Sequence, residues 1–258
     1  MKETIPEKPP SRIQVSVVIP LKDEAENILP LAEEIDSAFT PSDLSWECIW
    51  VDDGSVDGTL VVLKGLSVRN PGHRFIAFET NAGQSAALWA AFREARGEII
   101  ASIDGDGQND PADLPGLVKM VREGRADMVN GRRVKRFDGP VRKISSKIAN
   151  SFRNLVTGRT VSDVGCSTRA FRRECVGNLP RFKGMHRFLP TLAAMEGYSL
   201  AEVPVGHRPR RSGVSKYGIN NRLWVGLVDT FAILWLRKRF FTFRVIQRSI
   251  PAGKGPDA

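Results

Sequence analysis

Residues 99 to 111 read IIASIDGDGQNDP, an apolar run that stops at Asp104, Asp106 and Asp110. Carboxylates gathered just past a buried segment invite several kinds of chemistry. An EF-hand loop beginning at Asp104 needs glycine at its sixth position and glutamate at its twelfth, and Asn109 and Pro115 stand there instead. A phosphohydrolase with the first aspartate as nucleophile also ends a strand with Asp-x-Asp. A polar turn capping the next helix accounts for Asp110, with Pro111 at the first helical position, but leaves Asp104 and Asp106 unexplained. The remaining reading is a divalent-cation site for a nucleotide diphosphate. Hard cations take oxygen ligands, and one or two carboxylates plus substrate phosphates complete the shell. Asp104 and Asp106 can reach one ion, Gln108 can add a carbonyl oxygen or bind a water, and Gly105 and Gly107 permit close approach. Asp-x-Asp alone is common by chance, so its setting must arbitrate.

That setting is an alternation of two periodicities. Strands are predicted at 15–21 (VSVVIPL), 46–53 (WECIWVDD), 74–79 (RFIAFE), 98–105 (EIIASIDG) and 126–133 (ADMVNGRR), with helical spacing in AENILPLAEEIDSAF and QSAALWAAFREARG between them. The alternation predicts an α/β fold with a mostly parallel central sheet and helices on both faces. In such sheets ligands bind beyond the carboxyl ends of the strands, where DDGS and DGDGQND fall. From about residue 139 the rhythm changes to a long basic helix, GPVRKISSKIANSFRNLVTG, followed by the Gly/Ser/Thr-rich SDVGCSTRAF and a helix near HRFLPTLAAMEG. A late strand, SLAEVPVGH, leads into the polar loop RPRRSGVSKYG. The expected organisation is a tail at 1–12, a catalytic domain at 13–218, a helical segment at 219–245 and a second tail at 246–258.

Composition narrows the partners. A chain of 258 residues, 41% hydrophobic, can bury one large core. A formal net charge of +9 implies an anionic partner, which could be nucleic acid, a phosphorylated substrate or an acidic lipid surface. Nucleic acid is disfavoured because the basic residues are not interleaved with aromatics along a strand platform. Cys48, Cys166 and Cys175 form no CxxC pair, so neither a disulfide framework nor a zinc site is suggested, and a reducing compartment fits. The polar, proline-rich start MKETIPEKPPSR has no apolar stretch of the signal-peptide kind.

The ordered set VSVVIPLKDEAEN, VDDGSVDGT, NAGQSAALWAAF and DGDGQNDP resembles the family 2 glycosyltransferases of the GT-A (Rossmann-like) fold. NGRR, VRKISSKIAN, DVGCSTRAFRR and VPVGHRPRRSGVSKYG look like the branch that moves a sugar onto a polyprenyl phosphate, the dolichol-phosphate mannosyltransferase type. The resemblance runs from about residue 13 to 218. It departs at Lys22 and Asp23, where tyrosine and asparagine are usual, and at the NDP after the metal motif.

The resemblance implies roles. Pro20, Glu24 and one or both of Asp52 and Asp53 would hold the base and ribose, although an Asx-turn at the strand end accounts equally for one of the pair. Asp104, Asp106 and Gln108 would hold Mg²⁺ or Mn²⁺ across the diphosphate. On the acceptor side, Arg132, Arg142 and Ser146, the last one turn beyond Arg142, would bind a phosphate, while Lys143 and Lys147 belong to a solvated face. Arg210 and Lys216 look like the family's diphosphate clamp, in a loop that closes over the donor. Asp163 either positions the sugar or caps a turn. A phosphate acceptor is already largely a dianion at neutral pH and needs little help from a base, and positioning and electrostatics then dominate. His73 is expected to be structural, and His186 and His207 stand in no triad-like arrangement.

The expected activity is inverting, metal-dependent transfer of a hexose from a nucleotide sugar, GDP-mannose or UDP-glucose, to polyprenyl phosphate at the cytoplasmic face of a membrane. Two alternatives remain open at this stage. A growing glycan as acceptor would need a carboxylate base, with Asp163 as candidate; a non-catalytic nucleotide-sugar binder would not need the acceptor arginines. The segment LWVGLVDTFAILWL, 223–236, is interrupted by Asp229 and falls short of the roughly 20 residues of a spanning helix. With tryptophans and a basic skirt (Arg222, Arg237, Lys238, Arg239), it suits an in-plane amphipathic helix at an anionic membrane surface, or packing on the domain or a partner subunit.

Overall fold

The computed structural model describes residues 13–134, 161–209 and 219–239. Their elements run β1 (Val15–Leu21), α1 (Ala25–Phe39), β2 (Trp46–Asp52), α2 (Thr59–Arg69), β3 (His73–Ala77), α3 (Gln84–Glu94), β4 (Ile99–Ser102), α4 (Leu114–Arg122), β5 (Met128–Arg133), β6 (Arg169–Arg172), α5 (Leu189–Met195), β7 (Leu200–Val205) and α6 (Ile219–Arg239). One sheet collects all seven strands in the order β3-β2-β1-β4-β6-β5-β7. β1 pairs in parallel with β2 and β4, as do β2 with β3 and β5 with β7. Only β6 runs the other way, antiparallel to both β4 and β5.

The central strands are apolar on both sides because both faces are covered. Along β1, Val15, Val17, Ile19 and Leu21 enter one half of the core and Val18 the other; along β2, Cys48 and Trp50 alternate with Ile49 and Val51 in the same way. The first half is roofed by α1, α2 and α4 through Ile28, Ile35, Phe39, Leu63, Leu117 and Val121. The second is roofed by α3 and α5 through Leu88, Phe92, Leu189 and Leu192, joined by Ile233 of α6. Pro30 sits inside α1. An interior proline costs about 3 kcal/mol, but Ile28, Leu31, Ile35 and Phe39 are fully or almost fully buried, at about 1.5–3 kcal/mol each, so burial keeps the helix whole.

The short β6 arises within the Gly/Ser/Thr-rich SDVGCSTRAF, where the sequence predicts no strand. Its direction matters for the site. Ser102, the last residue of β4, pairs with Arg169, the first of β6, so the segment preceding β6 lies at the sheet edge where β4 and β5 end. Residues 163–168 therefore stand between the acidic loop after β4 and Arg132 at the end of β5.

His73 is structural, as expected. It is buried, its Nδ1 accepts from Trp50 Nε1 at 3.0 Å, and its Nε2 lies 2.8 Å from Asp36 Oδ1. The apolar C-terminal segment packs on the domain through Ile233 and Leu236, while Val228, Phe231 and Trp235 remain exposed. No helix among the described residues is long and apolar enough to cross a membrane.

Candidate active site

Two loops at the carboxyl edge of the sheet are laced together. Lys22 Nζ donates to Gly54 O (2.6 Å), Asp23 N to Ser55 Oγ (2.7 Å), Val56 N to Asp23 Oδ1 (2.8 Å) and Glu24 N to Thr59 Oγ1 (3.0 Å). Asp23 takes a left-handed φ of 48°, which asparagine and aspartate tolerate better than other non-glycine residues; the departure from asparagine therefore keeps the conformation. Gly54, at φ 63°, has no such substitute, because a Cβ there would lie 2.6 Å from the carbonyl carbon of Thr80. Pro20, the penultimate residue of β1, is half-buried, and the Glu24 carboxylate accepts from Asn27 Nδ2 at 2.5 Å.

The paired aspartates after β2 divide in their work. Asp52 Oδ1 accepts from Ser55 N at 2.9 Å, so the turn-forming reading holds for it. Asp53 is more heavily engaged: it accepts from Asn81 Nδ2 (2.8 Å), Ala82 N (2.7 Å) and Gly83 N (3.0 and 2.9 Å). It shapes the loop that delivers the start of α3 to the site. A ribose or base at Asp53 must share a carboxylate that already holds backbone.

The acidic loop follows β4. Gly105 fits against the end of β1, where a Cβ would collide with the Leu21 side chain. Asp104 Oδ1 accepts from Gln84 Nε2 at 2.8 Å, and Ser167 also hydrogen-bonds its carboxyl. Ser167 is itself held by Asn109 Nδ2 at 2.9 Å. Gln108 N donates to Asp106 Oδ1 at 3.1 Å, closing a tight turn. Burial, then the charge of Asp106, pushes the Asp104 carboxyl up to about 6, against the Ser167 bond and the Arg169 and Arg133 charges. A carboxyl whose ionisation is opposed by burial and by a neighbouring carboxylate is a donor that a divalent cation relieves. Among the described residues no three His, Cys, Asp or Glu side chains converge on one point; a hard ion held by Asp104 and Asp106 would complete its shell with phosphate and water.

A strap crosses this loop. Arg208 N donates to Gln108 O at 2.7 Å, and Asn109 and His207 form an antiparallel bridge. The Arg208 guanidinium reaches Glu34 (3.0 Å) and Asp110 (2.5 Å). Asp110 also caps its turn as expected, accepting from Ala112 N at 3.0 Å. The segment that leads into residues 210–218 is thus anchored on the acidic loop. Arg210 and Lys216 lie outside the described residues, as do Arg142, Lys143, Ser146 and Lys147.

Arg132, the penultimate residue of β5, stands exposed. Its neighbour Arg133 grips Asp163 with two bonds, Nε to Oδ2 at 2.8 Å and Nη2 to Oδ1 at 2.9 Å, and its backbone N adds a third at 3.2 Å. Asp163 is 4% exposed; it anchors the segment before β6. Sequence reasoning missed Gln84, Ser167, Arg208 and above all Arg169, which is buried and donates to Asn130 Oδ1 (2.7 Å), Val164 O (2.8 Å) and His186 O (3.0 Å). No local signal marked them: β6 begins only at Arg169, and Ser167 lies in the irregular segment before it.

Comparison with known proteins agrees with this architecture. The chain is 35% identical over 234 residues to a dodecaprenyl-phosphate galacturonate synthase of Rhizobium johnstonii, covering 89% of this chain and 69% of the relative. It is 37% identical over 205 residues to an undecaprenyl-phosphate 4-deoxy-4-formamido-L-arabinose transferase of Photorhabdus laumondii, covering 79% of this chain and 63% of that protein. The chain thus spans somewhat under two thirds of the arabinose transferases it matches. Among solved structures, a mannosyltransferase of Pyrobaculum calidifontis in complex with GDP-Man and Mn²⁺ superposes with a TM-score of 0.61 at 25% identity, over 86% of this chain and 64% of that one. A glucosyl-3-phosphoglycerate synthase of Mycobacterium tuberculosis, with Mn²⁺ and UDP, shares the fold with a TM-score of 0.64 at 21% identity, over 87% of this chain and 79% of that one. Residues 16–179 match the family described as Glycosyl transferase family 2, and with relatives at this level of identity the chain belongs to that family.

Proposed function

We propose that this protein transfers a glycosyl group, with inversion, from a nucleotide sugar to polyprenyl phosphate at the cytoplasmic face of a membrane. The observation that carries it is the placement of Asp104 and Asp106 at the sheet edge between the laced loops after β1 and β2 and the arginine at the end of β5. The names of the two relatives support the acceptor class. Asp104, Asp106 and Gln108 would hold Mg²⁺ or Mn²⁺, which when bound offsets the charge that develops on the departing nucleotide diphosphate. Pro20, Glu24, Asp52 and Asp53 form the nucleoside end. Gln84 and Ser167 fix the direction of the Asp104 carboxylate, and Arg210 and Lys216, which follow the Arg208 strap in sequence, would bind the diphosphate. Arg132, with Arg142 and Ser146, binds the acceptor phosphate, whose dianion attacks without a base. Asp163, the carboxylate a hydroxyl acceptor would need, is committed to Arg133, and this favours the phosphate acceptor over a growing glycan.

Purified protein incubated with labelled GDP-mannose, UDP-glucose or UDP-galacturonate, polyprenyl phosphate and Mn²⁺ is expected to move label into the organic phase. No labelled lipid with any of these donors would remove the reading. Arg132→Ala is expected to raise the KM for polyprenyl phosphate roughly tenfold, the scale of one lost charge-assisted bond, with the donor KM unchanged; an effect on the donor KM instead would move Arg132 out of the acceptor site.

The membrane contact is assigned to the exposed face of α6. Val228, Phe231 and Trp235 lie on one stripe of the helix, Arg239 stacks on Trp235 at 5.3 Å, and Arg237 and Lys238 adjoin it. Apolar side chains with a basic border suit an anionic leaflet. Phe231→Glu is expected to weaken flotation with phosphatidylglycerol vesicles at least about tenfold, the value of one apolar side chain kept in water, without changing the melting temperature. Unchanged flotation would place the contact elsewhere.

A further inference from the structure

The turn at Gly184–Arg187 is tied to the cation site by two routes. Gln84 and Ser85 are the first residues of α3; Gln84 holds Asp104, while Ser85 Oγ lies 2.8 Å from His186 Nδ1 and accepts from Gly184 N at 2.9 Å. Arg169, whose charge acts on Asp104, holds the His186 carbonyl at 3.0 Å. His186 therefore stands on the α3 side of the acidic loop. The nucleoside loops occupy the ends of β1 and β2, and Arg132 the end of β5. The part of a nucleotide sugar that lies past the diphosphate, away from the nucleoside, is the sugar.

The ring is prepared as a donor. Ser85 Oγ accepts the Gly184 N–H and faces His186 Nδ1, and with the hydroxyl hydrogen donated to Nδ1 the ring proton sits on Nε2. Nε2 makes no hydrogen bond among the described residues, although the residue is only partly exposed. Burial first, then the charges of Arg187 and Arg169, lowers its pKa to about 3, so the ring is neutral at physiological pH and serves as a donor, not as a base.

We propose that His186 is a sugar-contacting residue whose Nε2–H, fixed by Ser85, donates a hydrogen bond to an oxygen of the transferred glycosyl group. The proposal rests on the function assigned above, deepening it from diphosphate to sugar recognition. A carboxylate or hydroxyl oxygen would serve as acceptor; a phosphate is already supplied with arginines.

The test compares His186→Phe, which keeps volume, and His186→Ala with the wild type by calorimetric titration in Mn²⁺. The titrants are UDP, GDP, UDP-glucose, UDP-galacturonate and GDP-mannose. In both variants affinity for the nucleotide sugar that the wild type prefers is expected to fall five- to tenfold, the scale of one hydrogen bond, while affinity for the matching nucleoside diphosphate stays within twofold. Equal losses for the two ligands would show a structural role, and no loss for either would show no contact; both outcomes overturn the proposal. A wild type that binds none of the nucleotide sugars would overturn the assigned function itself, so the two failures are distinguishable.

Discussion

Asp106→Ala is expected to reduce glycosyl transfer by on the order of a thousandfold or more, since an electrostatic partner of the developing leaving-group charge is lost from a partly dry site. The expectation follows from the small number of donors. Asp104 and Asp106 are the carboxylates of the loop that face the edge between the nucleoside loops and β5, while Asp110 is taken up by its helix cap and Arg208. With Asp106 removed, Asp104 and Gln108 remain of the loop's donors, too few to hold an ion that no group of three His, Cys, Asp or Glu side chains among the described residues encloses. The same variant should lose the rise in melting temperature that Mn²⁺ plus nucleoside diphosphate gives the wild type, because a ligand stabilises only the state that binds it. Its metal-free fold should be unchanged or firmer, because the charge that opposes ionisation of Asp104 is gone. Full transfer by Asp106→Ala, or a Mn²⁺-dependent thermal shift equal to that of the wild type, would remove the cation from this loop.

The second large effect is on stability. Asp163→Ala leaves the Arg133 guanidinium, 18% exposed, without the carboxylate that holds it by two bonds, and the Asp163 side chain is itself only 5% exposed. Breaking a largely buried ion pair by removing one partner costs about 3 kcal/mol or more, and a chain of this size loses roughly 2–4 °C of melting temperature per kcal/mol. A fall of roughly 6–12 °C is expected by thermal unfolding. The paired substitution Arg133→Met with Asp163→Leu should recover part of it, because no charge is then stranded. Were Asp163 instead a catalytic base, Asp163→Ala would lose activity at an unchanged melting temperature, and a shift under 2 °C would decide for that role.

Much of the scaffold was legible in the chain. The run VSVVIPL became a central strand because every second side chain on each face meets a helix layer, and AENILPLAEEIDSAF became α1 over its whole length despite Pro30. Asp110 with Pro111 formed the expected cap. These are outcomes of interactions within one or two turns or of simple two-sided burial. β6 was not legible: four residues, RAFR, carry too little periodicity to announce a strand, and antiparallel pairing between β4 and β5 is settled by neighbours distant in the chain.

Among the site residues the division is the same. Local pattern determined that carboxylates gather past β2 and β4 at the carboxyl edge of the sheet, and that the apolar segment 223–236 is too short and too interrupted to span a bilayer. How much of each carboxylate is left for a ligand was decided by tertiary contacts: Asp53 is shared with a loop 29 residues away, Asp163 is held by an arginine 30 residues away, and the strap over the acidic loop is fixed by Arg208 on Glu34 across 174 residues. A side chain's type fixes what it can bind, but the number of its lone pairs and protons still unused depends on partners that only folding brings within 3 Å.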